Sequence, residues 1–192
     1  MDRELEQLHQ ELEEDRYQPR AVRRHWIDKG GGKKRPLGIP TVRDRVVQTS
    51  LRQVLEPIFE KKFCRHSYGF RPQRSCKDAL REVQRRLEEG YHWVVDADIE
   101  KYFDCIVPEI LMQEVEKEVS DGRVLKLIRS YLEQEVLDGM KKWKPERGTP
   151  QGAVISPLLA NLYFHPVDEE MERAGEVMIR YADDGRILCR DE

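Results

Sequence analysis

At 192 residues, with 39% hydrophobic and 37% charged residues and a formal net charge of −3, the chain can bury a core of ordinary domain size but carries too much charge for a membrane-spanning protein. No apolar run reaches the length of a membrane span, and Met1-Asp2-Arg3-Glu4 opens a charged helical pattern instead of a secretory or transit signal, so a cytoplasmic protein with no membrane partner is expected. Cys64, Cys76, Cys105 and Cys189 form no Cys-x-x-Cys pair, which argues against a zinc site or a disulfide framework.

The modest net charge hides a segregated one. Between Arg16 and Arg86 there are 20 Lys/Arg and 6 Asp/Glu, against 1 and 7 before this stretch and 13 and 24 after it. A basic segment can follow a phosphate backbone while a carboxylate-rich half holds cations. A solvated basic surface would give the same counts.

In chain order, Leu5, Leu8 and Leu12 form one apolar stripe of an opening helix. Two strands, Ala21–Asp28 and Arg35–Ile39, flank a loop at 29–34 that is too rich in glycine to continue either. Helices are predicted over Val42–Phe63, broken near Pro57, and over Ser75–Glu89, capped by Ser75 and Asp78. Trp93–Ile99 is β-rich, its alternation setting Val94, Asp96 and Asp98 on one face, and reads as a largely buried strand ending in a carboxylate at Asp98. Helical patterns return at Pro108–Glu118 and Gly122–Leu132, followed by a hairpin around Asp138-Gly139 joining Gln134–Leu137 to Met140–Trp143. A helix from Pro157 towards Glu172, interrupted at Pro166, leads to the final hairpin. No internal repeat appears.

That hairpin carries the chemistry. Val177–Tyr181 and Gly185–Cys189 are apolar runs joined by a turn bearing Asp183 and Asp184. Asp and Gly are also ordinary turn residues. Two carboxylates at a hairpin tip, joined by Asp98 from upstream, nevertheless make an oxygen-rich set suited to Mg²⁺, and their mutual repulsion is relieved by bound cations. Two cations roughly 3.5–4 Å apart serve nucleotidyl transfer.

Five collinear motifs extend this reading: Gly32–Arg45, Ser67–Ser75, Ala97–Asp104, Gly148–Asn161 and Tyr181–Asp184. Together they resemble a group II intron reverse transcriptase, an RNA-directed DNA polymerase. The resemblance implies an α+β fold, the fingers and palm of a right-hand polymerase, with a small antiparallel palm sheet packed on helices. It divides the chain into fingers (1–90) and palm (91–192), with 119–150 returning to the fingers. Asp98 and Asp183 would ligate two Mg²⁺ ions, Mn²⁺ being a substitute, with the Ile99 carbonyl as a further ligand and Asp184 supporting the cluster. Lys33 and Arg35 would grip the triphosphate of a dNTP, Phe103 would act as the steric gate against a ribose 2′-hydroxyl, and Gln151 and Gly152 would meet the incoming nucleotide. Arg71 and Arg74 would contact nucleic acid; Phe70 is given no catalytic role. The implied partners are an RNA template, a DNA primer, dNTP and host intron RNA. Ala153 departs from the family pattern, standing where a second glycine is usual. The thumb, maturase and endonuclease regions are expected to be absent, and self-association into a homodimer would then cover exposed apolar surface. Two other readings share these residues: a non-catalytic RNA-binding fragment or splicing scaffold, and a retron, diversity-generating or defence-associated reverse transcriptase.

Overall fold

The structure is a computed structural model describing residues 2–145, 147–149 and 152–190, except the side chains of Asp2, Lys29 and Lys33. The opening helix α1 (Asp2–Glu13) leads to β1 (Val22–Gly30) and β2 (Lys33–Ile39), an antiparallel pair in register from Arg23↔Ile39 to Asp28↔Lys34. The strands run further into the glycine loop than expected. Gly30 pairs with Lys33, so the turn shrinks to Gly31-Gly32, both at positive φ (60° and 75°), the conformation of a tight hairpin that only glycine adopts without strain.

Helix α2 (Val42–Phe59) starts at Thr41, whose hydroxyl accepts from the Asp44 N–H, and passes through Pro57 without the expected break. Pro57 lies in the last turn, where it removes a single backbone hydrogen bond, and Val47, Leu51, Leu55 and Phe59 hold the helix by burial. The segment 60–63, expected to be helical, lies beyond its end. Helix α3 (Cys76–Glu88) begins with a complete capping box between Ser75 and Asp78. Strand β3 (Trp93–Asp98), the short helix α4 (Tyr102–Cys105), helices α5 (Pro108–Glu116) and α6 (Gly122–Leu132), and strands β4 (Val136–Asp138) and β5 (Lys141–Trp143) follow. Helix α7 (Ser156–Arg173) also continues through its proline, Pro166. Leu158, Leu159, Leu162, His165 and Asp168 are buried along it, and that burial outweighs a local penalty of about 3 kcal/mol. Strands β6 (Val177–Tyr181) and β7 (Asp184–Cys189) close the fold. No helix among the described residues is long and apolar enough to cross a membrane.

Two sheets result. One is β2-β1-β4-β5, in which β4 adds parallel to β1 through Val22↔Val136 and Arg23↔Leu137; the other is the antiparallel β3-β7-β6. The main core joins α2, α5, α6 and α7 around Phe59, Leu111, Met112, Ile128 and Leu159. A second cluster packs Ala79 of α3 against Val177, Ile179 and Leu188 of the smaller sheet, with Tyr68 beside them. The Arg85 hydrogen bonds, helped by Arg86 and opposed by burial, hold the Glu82 carboxyl of α3 down at about 2.

Asp44 is fully buried yet pairs with no cation among the described residues. It accepts hydrogen bonds from Tyr17 Oη (2.6 Å) and Thr41 Oγ1 (2.7 Å), and Tyr17 Oη also meets Tyr131 Oη at 2.9 Å. The 14–20 segment, α2 and α6 are thereby tied at one carboxylate. Burial and this hydrogen bond push the Tyr17 phenol above its ordinary range, keeping it a donor.

Asp44→Ala, which removes the acceptor shared by the buried Tyr17 hydroxyl and the half-buried Thr41 hydroxyl, is expected to lower the urea-unfolding free energy by about 2 kcal/mol. A depressed carboxyl contributes stability above its unfolded value near 4.5 and loses it as pH falls towards 2. Glu82→Gln should therefore abolish a pH-dependent loss of about 3 kcal/mol between pH 4.5 and 2, measured by denaturation at a series of pH values.

Candidate active site

Strand register brings the expected carboxylates together. In the smaller sheet Asp98 is the cross-strand partner of Asp184, which in turn pairs with Tyr181. Directly opposed residues stand roughly 4.5–5.5 Å apart at Cα and project from the same face. Asp183 occupies the turn immediately before Asp184. Two residues back from Asp98, Asp96 opposes Arg186 and is ion-paired with it at 2.5 Å. Asp98, Asp183 and Asp184 have no ion pair among the described residues.

One expectation is corrected. β3 is not a buried strand: it is an edge of its sheet, Trp93, Val94 and Val95 are exposed, and only Ala97 is half-buried. Asp98 and Asp184 are exposed and Asp183 half-buried. Water therefore solvates the acidic pair, and repulsion across the ladder, not desolvation, is the cost that bound cations would relieve.

The turn is held from behind. Arg180, in the middle of apolar β6, is fully buried. Its guanidinium forks onto Asp168 of α7 (Nε–Oδ1 2.8 Å, Nη2–Oδ2 2.6 Å) and donates to Asn161 Oδ1 (3.1 Å), Ser67 Oγ (2.8 Å) and the Ala182 carbonyl (2.7 Å). Phe164 lies under its plane, 4.5 Å from Cζ to ring centroid. Ala182, the first turn residue, adopts φ +60°. A non-glycine residue there costs about 1 kcal/mol, and the Arg180 bond to its carbonyl holds it in place. None of these partners was expected from the sequence; the available signal was a single arginine inside the apolar run Val177–Tyr181.

The motif at 67–75 proves to be part of this support. Tyr68 N–H donates to the Arg180 carbonyl, Arg180 N–H to the His66 carbonyl, and Asn161 Nδ2 to the Gly69 carbonyl. Gly69 lies so close to the turn that a Cβ would fall 2.2 Å from Ala182 N, which excludes any side chain. Arg71, expected on nucleic acid, is turned inward: its guanidinium holds the Glu60 carboxylate and the carbonyls of Cys64 and Ser67, and it is only 6% exposed. Arg74 is half-buried, donates to the carbonyls of Arg65 and Ser67, and stacks over Tyr68 at 5.4 Å. Burial lowers its affinity for a proton. The interleaved aromatics and arginines that suggested a template contact form an internal brace.

Beyond Asp98, exposed Ile99 leads to Lys101, at φ +54°, and then to α4. Tyr102 is buried and donates to the Ala160 carbonyl at 2.6 Å. Burial raises its phenol above the ordinary range, with nearby Asp183 among the lesser causes. Phe103 is half-buried and meets Phe70 edge-on at 6.4 Å between centroids. Phe70, which the sequence left without a role, is 45% exposed at φ +58°.

The Gly148–Asn161 motif docks here too. Thr149 N–H donates to the Phe103 carbonyl (2.9 Å), and a Cβ on Gly148 would lie 2.9 Å from Asp104 Cα. Gly152, at φ +104°, touches the Gly38 carbonyl and Leu37, where a Cβ would come to 2.7 Å. The motif thus touches α4 at one end and β2 of the larger sheet at the other. Arg35 is exposed on β2, and Lys33 pairs at the hairpin end. Gln151 lies outside the described residues. No three His, Cys, Asp or Glu side chains among the described residues form a ready-made metal cage. Mg²⁺ does not demand one, since it is commonly held by one or two carboxylates together with substrate phosphates. The donor set fits it.

An α+β fold gathering three acidic residues at one end of a small antiparallel sheet defines the class, a right-hand polymerase. Residues 27–192 match the family described as reverse transcriptase (RNA-dependent DNA polymerase), and the chain belongs to it. Over 170 residues it is 41% identical to protein YkfC of Escherichia coli (strain K12), covering 86% of this chain and 45% of that protein. Over 166 residues it is 40% identical to the group II intron-encoded protein LtrA of Lactococcus lactis subsp. cremoris, covering 86% and 28%. A chain of the partial Cas6-RT-Cas1–Cas2 complex superposes with a TM-score of 0.60 at 28% identity, covering 99% of this chain and 33% of that one. The chain thus spans less than half the length of these curated relatives.

Removing the buried cation should leave Asp168 uncompensated. Arg180→Met is expected to cost about 3–5 kcal/mol in denaturant unfolding. Arg180→Met/Asp168→Leu should recover most of that stability without restoring the order of the Ala182-Asp183 turn, read by amide hydrogen exchange.

Proposed function

We propose that this chain carries the catalytic centre of an RNA-directed DNA polymerase of the group II intron kind. The carrying observation is the Asp98↔Asp184 register with Asp183 at the adjoining turn. In this reading Asp98, Asp183 and the Ile99 carbonyl hold two Mg²⁺ ions, or Mn²⁺, and Asp184 supports them. When bound, the ions activate a primer 3′-hydroxyl and neutralise the charge of the departing pyrophosphate. The chain's own residues position. Arg180 orients the turn from behind, and Lys33 and Arg35 on the β1–β2 hairpin grip the dNTP triphosphate. Phe103 crowds the ribose 2′ position, with Phe70 braced against its ring. Gly152 allows close backbone approach, with Gln151 beside the nucleotide.

The substrates in this reading are dNTP, a DNA primer and an RNA template, with intron RNA as a further partner. Exposed basic residues of 16–86 supply phosphate contacts, since Arg71 is spent internally. The sharing of one sheet by β1, β2, β4 and β5 supports fingers composed of 1–90 and a returning 119–150, with the palm in the remainder. The 40% identity to LtrA supports the intron kind over other reverse transcriptases.

The test is Mg²⁺-dependent extension of a DNA primer on an RNA template, comparing the chain with Asp183→Ala/Asp184→Ala. The variant should lose about 10³-fold in rate while staying at least as stable, because a like-charge pair across the ladder is removed. RNA binding by both proteins with extension by neither would instead establish the RNA-binding scaffold reading.

A further inference from the structure

A cavity of about 220 Å³ lies between the larger sheet, the end of α6 and the Gly148-Thr149 segment. Its floor includes Trp143, over which Arg24 stacks at 4.5 Å, and Arg147 and Asp104 stand among its lining residues. Two lining side chains are almost wholly buried with a hydrogen-bonding atom unmet among the described residues: Gln134 (3% exposed) at Oε1 and Thr149 (4% exposed) at Oγ1. Gln134 Nε2 donates to the Arg20 carbonyl, which settles the amide orientation and leaves Oε1 as the free acceptor. An unmet buried polar atom is costly, and two in one cavity mark a place where a polar ligand recovers that cost. The cavity is not the candidate dNTP position. β2 presents Pro36 and Gly38 to it, and strand alternation therefore puts Arg35 on the opposite face of the sheet.

We infer that this cavity is a second nucleotide subsite that takes one amino-bearing nucleobase of the adenine type. The ring stacks on the Trp143–Arg24 layer, the exocyclic amino group donates to Gln134 Oε1, and the Thr149 hydroxyl donates to an adjacent ring nitrogen. Arg147 supplies a cation for the attached phosphate. An aromatic layer with a few convergent polar groups is how proteins hold an unstacked base. The size suits a single heterocycle and not a triphosphate with its metal ions. The same chemistry is offered by a free nucleotide and by a base splayed from an RNA strand.

Calorimetry on the full chain without Mg²⁺ tests this, using AMP, ribose 5-phosphate and N6,N6-dimethyl-AMP, together with an oligo(U) RNA carrying or lacking one central adenosine. AMP or the adenosine-bearing RNA should bind about tenfold or more tightly than its counterpart without the base or the amino donor. Thr149→Val and Trp143→Leu, each checked for folding by circular dichroism, should each weaken that binding about tenfold, whereas Asp98→Ala should leave it unchanged. Free AMP binding with this sensitivity assigns the site to a free nucleotide; sensitivity confined to the RNA assigns it to a splayed base. The RNA arm rests on the polymerase reading but is read by affinity, so loss of primer extension does not count against it. The inference is overturned if neither AMP nor the single adenosine adds affinity, or if both variants bind as the parent does.

Discussion

The candidate site depends on the burial of one guanidinium. Arg180 must satisfy its donors inside the protein, because an unpaired buried charge costs several kcal/mol. Asp168 neutralises it, while Ser67, Asn161 and the Ala182 carbonyl take its remaining hydrogen bonds. A planar fork can serve these partners together only in one arrangement, whereas a lysine ammonium could adapt to several. The segment at 66–69, helix α7 and the acidic turn are consequently fixed relative to one another by a single side chain. Precision at the turn derives from the back of the sheet, away from the exposed carboxylates.

The front of the sheet shows the opposite logic. Opposing Asp98 and Asp184 across a ladder works against stability, and Phe70, Lys101 and Ala182 all take positive φ within the segments around them. Such costs persist only where the surroundings over-determine the backbone. Here the surroundings are the Arg180 cluster, the Tyr102 bond to Ala160, and the pairing of 66–68 with β6. Repulsion in the protein becomes attraction for cations, which is how a site can be costly when empty and favourable when filled.

Glycines carry the closest backbone approaches around the site. Gly69 against Ala182, Gly148 against Asp104, and Gly152 against Gly38 each place backbone where any Cβ would collide. The seat of Gly152 on β2 and that of Gly148 on α4 therefore have little slack. Ala153, the departure from the family pattern, is buried immediately beside Gly152.

Local pattern was enough for most of the elements. Capping by Ser75, the apolar periods of α5 and α6, the Asp138-Gly139 turn and the final hairpin depend on neighbours close in sequence, and the structure forms them where those signals lie. Motif order likewise singled out the candidate carboxylates Asp98, Asp183 and Asp184, because a motif fixes residue identity whatever surrounds it in the fold. Propensity misjudged Pro57 and Pro166, where buried apolar faces outweighed the loss of a backbone bond. It also misjudged β3, whose Val-rich pattern fits a buried strand yet lies at a sheet edge. The parallel β1–β4 pairing, the inward turn of Arg71 and the Arg180–Asp168 pair were not legible at all. Each joins residues far apart in the chain or depends on which side of an element faces the interior. Those choices are made by the balance of burial and charge over the assembled fold, and no short window of residues contains it.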